Sequence, residues 1–284
     1  MNQDKMEAGQ SQEFYETRYA PDRRKLRDTI FREVFDDYCG QGSWISTADY
    51  DRFIGWLDVR PDARVLDIAC GEGGPTLRLS ARTGCSVVGI DNNAHAVARA
   101  TALAHEWELN DLVFFKHRDG SQLLPFSDGA FEALVCFDAL CHLPNRPQIF
   151  AEWARVLKPG GWLLFTNQVL TGPISNAETA ARTPLGYFLF VPDGYDEQQL
   201  SAASFQLVRR VDLTATFVHI AERHCAARVR HAEALRAVEG DEEVFEKENR
   251  YRAVAAQLAR ERRFSHFVFL ARKPPRGAEG MVAS

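Results

Sequence analysis

Residues 64–74 read Arg-Val-Leu-Asp-Ile-Ala-Cys-Gly-Glu-Gly-Gly. A short apolar run carrying one acid, Asp67, empties into a glycine-rich turn, and Pro75 then opens a helix. Glycines at such a junction allow tight backbone geometry and close approach of a ligand to the helix N-terminus. A second apolar run, Val87–Ile90, ends about twenty residues after Gly71 in Asp91. A carboxylate there suits both hydroxyls of an adenosine ribose. The third glycine of a dinucleotide fingerprint is missing, its place falling on Thr76. Asp67 would repel a pyrophosphate but favour a ligand carrying an ammonium and a sulfonium. S-adenosylmethionine is adenosine joined to such a cationic amino acid, without phosphate, so a nicotinamide-dependent oxidoreductase is disfavoured.

The second segment able to do chemistry is Phe137-Asp138-Ala139-Leu140-Cys141-His142-Leu143-Pro144. In an open α/β sheet, ligands lie beyond the carboxyl ends of the strands, which places this segment beside the reactive end of the cofactor. Methyl transfer from a sulfonium is an in-line displacement, and a nucleophile that carries a proton needs a base. His142 is the one obvious base, its unperturbed pKa of about 6.5 suiting a hydroxyl or an ammonium. It equally fits a packing role beneath the cofactor. Asp138 either orients His142 or attracts a cationic acceptor. Cys141 reads as a packing residue, since methyl transfer needs no covalent enzyme intermediate.

The elements that must hold these residues follow from periodicity. From Ser11 to Leu57 the pattern is helical, with Phe31, Val34, Phe35 and Tyr38 in register and Ser46 or Thr47 as an N-cap before Tyr50, Phe53, Ile54 and Leu57. After Pro61, buried-type strands (Val65–Ala69, Val87–Ile90, Leu112–Phe115, Leu134–Phe137, Trp162–Thr166) alternate with amphipathic stretches, the signature of a parallel, doubly wound sheet. Val169–Pro192 reads as an irregular apolar loop, Asp196–Ala203 as a helix, and Gln206–Leu213 as a strand. Ala221–Arg262 reads as one or two charged amphipathic helices with Val229, Ala232, Leu235 and Val238 on one face, and His266–Ala271 as a last strand.

With these motifs in place the chain resembles the class I S-adenosylmethionine-dependent methyltransferases. Asp67-x-Ala69-x-Gly71-x-Gly73-Gly74 is similar to their first motif, and Asp91, with Asn92 beside it, to their ribose-binding acid. Arg118-Asp119-Gly120 resembles the segment whose acid meets the adenine amino group. Phe131–Phe137 is similar to their fourth strand, and Glu152-x-x-Arg155-Val156-Leu157-Lys158-Pro159-Gly160-Gly161 to the helix and turn before the fifth. The resemblance implies S-adenosylmethionine as cofactor and S-adenosylhomocysteine as product. It implies a cofactor site of Asp67, Ala69, Gly71, Gly73, Asp91, Asn92, Asp119, Gly120 and Phe137, and a catalytic or acceptor-orienting role for His142. Gln41–Thr47 resembles the N-terminal piece that closes over the cofactor in small-molecule relatives, so that Trp44 would wall the site and Ser46 would reach the methionine carboxylate. Tyr15, Tyr19, Tyr187 and Phe188, with Phe190, are candidate acceptor contacts; aromatic faces suit a planar or a cationic substrate. His219 and His224 are weaker candidates of the same kind. No Asp/Asn-Pro-Pro-Tyr/Phe follows the fourth strand, which points away from nucleobase acceptors.

Composition agrees with a small diffusible acceptor. The chain has 284 residues, 34 Lys and Arg against 39 Asp and Glu, and a formal net charge of -5. The signs are mixed along its length, which disfavours a nucleic-acid partner. Its six cysteines form no Cys-x-x-Cys pair or zinc-like spacing, so no metal site is expected and a reducing, cytoplasmic setting is. No signal peptide or membrane span is read.

The expectation is therefore a doubly wound, mostly parallel, seven-stranded α/β sheet of the class I methyltransferase type. Disordered tails would cover 1–10 and 274–284, a helical cap 11–60, and the cofactor-binding domain 61–273, with an acceptor loop at 168–193 and a helical insertion at 214–263. The protein would be a monomer or homodimer. An aminopropyl or aminocarboxypropyl transferase, or a catalytically silent cofactor-binding module on the same fold, remain as alternatives.

Overall fold

The computed structural model describes residues 19–182, 189–240 and 242–275. Seven strands form one sheet: β1 (Arg64–Ile68), β2 (Ser86–Asp91), β3 (Val113–His117), β4 (Phe131–Cys136), β5 (Leu157–Leu170), β6 (Gln206–Asp212) and β7 (Phe264–Arg272). Their order is β3-β2-β1-β4-β5-β7-β6, parallel throughout except that β7 runs antiparallel to both β5 and β6. This is the mostly parallel, doubly wound sheet that the alternation implied, with the seven strands that the resemblance implied. The chain reverses direction across the sheet at β1, between β2 and β4, so the carboxyl end of β1 borders the crevice where ligands of such sheets bind.

Central strands are buried on both faces, which is why they read as continuous apolar runs. Val65, Val87, Val135 and Leu164 face one core, with Tyr50, Phe53 and Leu77 from helices α2 (Thr47–Leu57) and α3 (Gly74–Thr83). Leu66, Val88, Leu134 and Phe165 face the other, packed by Phe150 and Trp153 of α5 (Arg146–Val156). Helix α4 (Ala94–Glu106) connects β2 to β3 and is capped by Asn93, whose side chain accepts from the Ala96 N–H at 2.9 Å. The edge strand β6 is largely exposed and carries Arg209 and Arg210, charges that discourage edge-to-edge pairing.

The motif Glu152-x-x-Arg155 acts as a brace. Glu152 accepts from the Leu124 N–H at 2.7 Å, and Arg155 donates to the Phe126 carbonyl at 2.7 Å and the Leu124 carbonyl at 3.1 Å. One turn of α5 therefore fixes the loop leading into β4.

A third helical layer lies over the carboxyl end of the sheet. Helix α1 (Pro21–Val34) packs Ile30, Phe31 and Val34, with Phe35, against Ile220, Ala227, Leu235 and Phe245. Those residues belong to α8 (Thr214–Arg230), α9 (Ala232–Glu239) and α10 (Glu242–Arg260). The stretch read as one or two helices from Ala221 is thus three helices starting at Thr214. The break at His231 also corrects the expected apolar face: Leu235 is buried, while Val229, before the break, is 76% exposed. Strand β5 runs four residues beyond its expected end at Thr166 because β7 pairs with it as far as Leu170. Short helices α6 (Asn176–Arg182) and α7 (Tyr195–Ala202) follow β5.

Candidate active site

A cavity of about 330 Å³ opens at the carboxyl ends of β1, β2, β4 and β5 beneath the helical layer. Its wall includes Asp67, Ala69, Gly71, Asp91, Asn92, Asp119, Gly120, Phe137, Asp138 and His142, together with Trp44 and Tyr19. The structure thus gathers most of the singled-out residues around one space. Tyr15, Tyr187 and Phe188 lie outside the described residues. Phe190 packs edge-on to Phe264 at 5.8 Å between ring centroids.

The turn after β1 is shaped by backbone. Ala69 and Gly71 have φ of 58° and 55°. Gly74 starts α3 so close to the preceding loop that a Cβ there would lie 1.9 Å from the Cys39 carbonyl oxygen. Gly73 is absent from the cavity wall. It is the left-handed N-cap of α3, and a side chain on it would run into Phe115 and Ala100. Its place in the structure is to shape the turn that Gly71 and Asp67 flank. Ser46 also has a local structural task. It caps α2, accepting from the Asp49 N–H at 3.1 Å and donating to the Asp49 carboxylate at 2.7 Å, and it is not on the cavity wall.

Two acids stand at the mouth of this turn. Asp91 accepts from the Gly71 N–H at 2.8 Å and the Asn93 N–H at 2.9 Å, which ties the end of β2 to the glycine turn. Burial pushes its carboxyl up despite those two donors. Asp67 is buried, and burial pushes its pKa up to about 7, against a hydrogen bond from Thr76 at 2.6 Å and in concert with the charge of Asp91. The groups acting on Asp67 are a hydroxyl and another acid, so the cation it would welcome must come from a ligand. That chemistry, with the glycine cradle, fits the ammonium and sulfonium of S-adenosylmethionine. Asp119 is exposed at the cavity wall and accepts from the Ser121 backbone at 2.8 Å and hydroxyl at 2.7 Å.

Asp138 departs from its expected role. It sits at φ 52° just past β4, and its Oδ1 accepts from Thr166 at 2.7 Å and pairs with His266 Nε2 at 2.7 Å. Its Oδ2 accepts from the Trp44 N–H at 2.7 Å. Burial alone would raise its pKa, but the His266 charge and hydrogen bond, with the Trp44 and Thr166 donors, hold it below the ordinary carboxylate range. The carboxylate clamps β4, β5, β7 and the Trp44 loop together, and His142 is not among its hydrogen-bond partners. His142 ends a 3-10 turn, Leu140–His142, with its backbone N–H on the Ala139 carbonyl at 2.9 Å and its residue on the cavity wall. Cys141 is buried beside it.

Sequence reasoning missed His266, Thr166 and Gln168. Gln168 and His266 are cross-strand partners, and Thr166 is two residues back along β5, so all three share one sheet face. Gln168 lines the cavity at 4% exposure, and its Nε2 has no hydrogen-bond partner. A buried unpartnered amide is costly unless a ligand completes it. Only the alternation along β5 could have revealed this residue, and the expected strand stopped short of it. Of the two candidate histidines, His224 is buried and lines the cavity, edge-on to Trp44 and Phe31, while His219 lies near Arg223.

Residues 66–165 match the family described as a methyltransferase domain. The sterol 24-C-methyltransferase of Debaryomyces hansenii is 29% identical over 185 residues, covering 62% of this chain and 48% of that protein. The mycolic acid cyclopropane synthase CmaA1, crystallised with S-adenosylhomocysteine and CTAB, superposes with a TM-score of 0.75 at 20% identity, over 87% of this chain and 94% of that one. The [4+2]-cyclase SpnF superposes with a TM-score of 0.68 at 25% identity, over 85% and 86%. The matched stretch, about a third of the chain, is thus similar to a methyltransferase domain, and the chain as a whole shares the fold of the superposed structures. The chain spans about half the length of the sterol methyltransferase it matches. No described helix is long and apolar enough to cross a membrane.

Proposed function

We propose that the protein transfers the methyl group of S-adenosylmethionine to a nucleophilic atom of a small-molecule acceptor. The observation that carries this is Asp67: a buried cavity-wall carboxyl with a pKa of about 7 and neighbours that supply no cation. A dinucleotide would bring a pyrophosphate toward this acid, whereas S-adenosylmethionine brings an ammonium and a sulfonium. The cofactor supplies an electrophilic methyl on that sulfonium. Asp67 and the Ala69–Gly71 turn hold its amino-acid end. Asp91, with lone pairs left after Gly71 and Asn93, takes the ribose hydroxyls, and Asn92, Asp119 and Gly120 border the adenine. Phe137 and Trp44 wall the reacting end.

The acceptor lies between the Leu140–His142 turn and the end of β5. His142 accepts a proton from it or fixes its orientation, and Gln168 hydrogen-bonds a polar atom near the nucleophile. Tyr19, with Tyr15, Tyr187 and Phe188, completes the acceptor side. The cap at 11–60 and the insertion at 214–263, packed together through α1 and α8–α10, choose the acceptor, with 168–193 as the acceptor loop and 61–273 as the catalytic domain. Six free cysteines suit the cytoplasm, and the acidic balance suits a small acceptor, not a nucleic acid, handled by a monomer or homodimer.

Calorimetry with S-adenosylmethionine, S-adenosylhomocysteine and NAD tests the cofactor assignment. Tight NAD binding without affinity for either adenosyl compound overturns it. A screen of small metabolites for S-adenosylhomocysteine release tests the transfer. With an acceptor in hand, His142→Ala should lower kcat by about 100-fold or more, a usual contribution of acid–base catalysis, while the S-adenosylmethionine affinity stays within about threefold. An unaltered kcat would assign His142 to packing.

A further inference from the structure

A second cavity, of about 150 Å³, lies against the main one and shares four wall residues with it: Arg27, Phe31, His224 and Arg252. Beyond them it runs between α1, α8 and α9 along Leu26, Ile30, Leu235 and Val238. Three of the four arginines on its wall, all but Arg23, have their charge met by carboxylates. Arg27 donates to Glu72 at 2.5 Å, Arg228 to Glu239 at 2.9 and 3.0 Å, and Arg252 to Glu248. A guanidinium held this way leaves its alkyl stem as apolar lining. Aliphatic-lined cavities of roughly this volume take up benzene-sized guests.

We propose that this chamber is the apolar-arm subsite of the acceptor. The reacting atom sits beside His142 and Gln168, and a small ring or short branched hydrocarbon arm passes Phe31 and His224 into the chamber. The inference rests on the proposed methyl transfer, and it narrows the acceptor to an amphipathic molecule with a polar atom at Gln168 and an apolar arm. The occupant is a ligand arm because the chamber adjoins the site, with four residues forming the wall of both. Three of the four guanidiniums on its walls are already met by carboxylates, which leaves Arg23 alone to face an anionic partner.

The test uses 4-fluorotoluene and the full chain saturated with S-adenosylhomocysteine, read by fluorine NMR. Val238→Trp fills the chamber, and Val244→Trp, at a position 37% exposed and therefore tolerant of bulk, narrows it from another helix. Wild type should bind the probe, and both variants should bind it at least tenfold more weakly. Equal affinity in all three overturns the subsite. So does absence of binding to wild type, the result expected if residues 1–18 of the chain themselves fill the chamber. For the acceptors found by metabolite screening, Val238→Trp should raise KM at least tenfold with S-adenosylhomocysteine affinity unchanged; an unchanged KM also overturns the subsite. Probe binding that depends on Val238 in a chain that fails to transfer methyl groups would count against the proposed function alone. Methyl transfer indifferent to both variants would count against the chamber alone.

Discussion

At the β1 end of the cavity, polar groups are tied by near neighbours in the chain; at the β5 end they are tied by distant ones. Asp91 holds the Gly71 N–H and Thr76 holds Asp67, so one strand–turn–helix unit and the tip of β2 complete the arrangement. Asp138, by contrast, joins residues 28, 94 and 128 positions away in sequence. A local device is rigid once its turn has formed. A device spread over four segments exists only when the whole sheet and its helical cover are in place. Each end should therefore fail in its own way, through loss of cofactor at one and loss of stability or acceptor at the other.

The sharpest break is Gly74→Ala. Its Cβ would collide with the Cys39 carbonyl, a backbone atom that cannot swing aside as a side chain can. The turn must move as a unit, so S-adenosylmethionine affinity should fall by about 100-fold or more, at a stability cost of roughly 3 kcal/mol. Calorimetry and thermal unfolding measure the two effects. Near wild-type affinity would mean that the turn is softer than its geometry states.

At the other end, Asp138→Ala should act first on stability. It strands the Trp44 N–H, the Thr166 hydroxyl and the fully buried His266. Removing the shared acceptor of three buried donors should cost about 3 kcal/mol or more, whereas Thr166→Val, which removes a hydroxyl that donates to the carboxylate and accepts from the Asp138 N–H at 2.9 Å, should cost about 2 kcal/mol. Denaturant titration compares them. An Asp138→Ala chain as stable as wild type but inactive would return Asp138 to catalysis.

The same contrast explains what was legible in the sequence. The sheet, its turn glycines, and the acids Asp67 and Asp91 lie in short segments whose spacing is itself the structure. Gly73 and Ser46 were found, but their structural tasks were not separable from ligand contact, because a turn glycine and a helix cap look the same in sequence whether or not a ligand touches them. The partnership of Asp138 with His266 was illegible: nothing local ties residue 138 to residue 266, and only the antiparallel return of β7 beside β5 brings them together. Gln168 was hidden because strand β5 was ended at Thr166, and the helix break at His231 because charged residues run through it without a glycine or proline.

A smaller effect separates the two ends by pH. Asp67, with its carboxyl at about 7 before ligand binds, must be ionised to attract a cation. S-adenosylmethionine affinity should therefore fall as pH drops through 7, by up to about tenfold per unit. Below that pH, binding should release a proton, seen as buffer-dependent heat. The ligand-free fold has the opposite sign. Its raised carboxyl pKa favours the protonated acid, so this group's contribution is full below the ordinary range near ~4 and is lost as pH rises to 7. Asp67→Asn should flatten both dependences and weaken binding about tenfold. A dependence that survives in Asp67→Asn would belong to another group.

The smallest effect falls on the acceptor alone. Gln168 lies on the far side of β4 from β1, sharing a face with Thr166 and His266, and its buried Nε2 lacks a partner. If that amide completes its hydrogen bonding on the acceptor, Gln168→Leu loses one net hydrogen bond of about 1 kcal/mol. KM for the acceptor should then rise about fivefold, with kcat and S-adenosylmethionine affinity nearly unchanged. Gln168→Glu keeps the shape but replaces the donor with a second acceptor, and should be worse than leucine. The free protein should respond in reverse, Gln168→Leu unfolding at a slightly higher temperature than wild type because it removes an unsatisfied buried amide. A stability loss in Gln168→Leu with KM unmoved would show that the amide serves the fold, and would leave the β5 end of the cavity without a polar anchor for the acceptor.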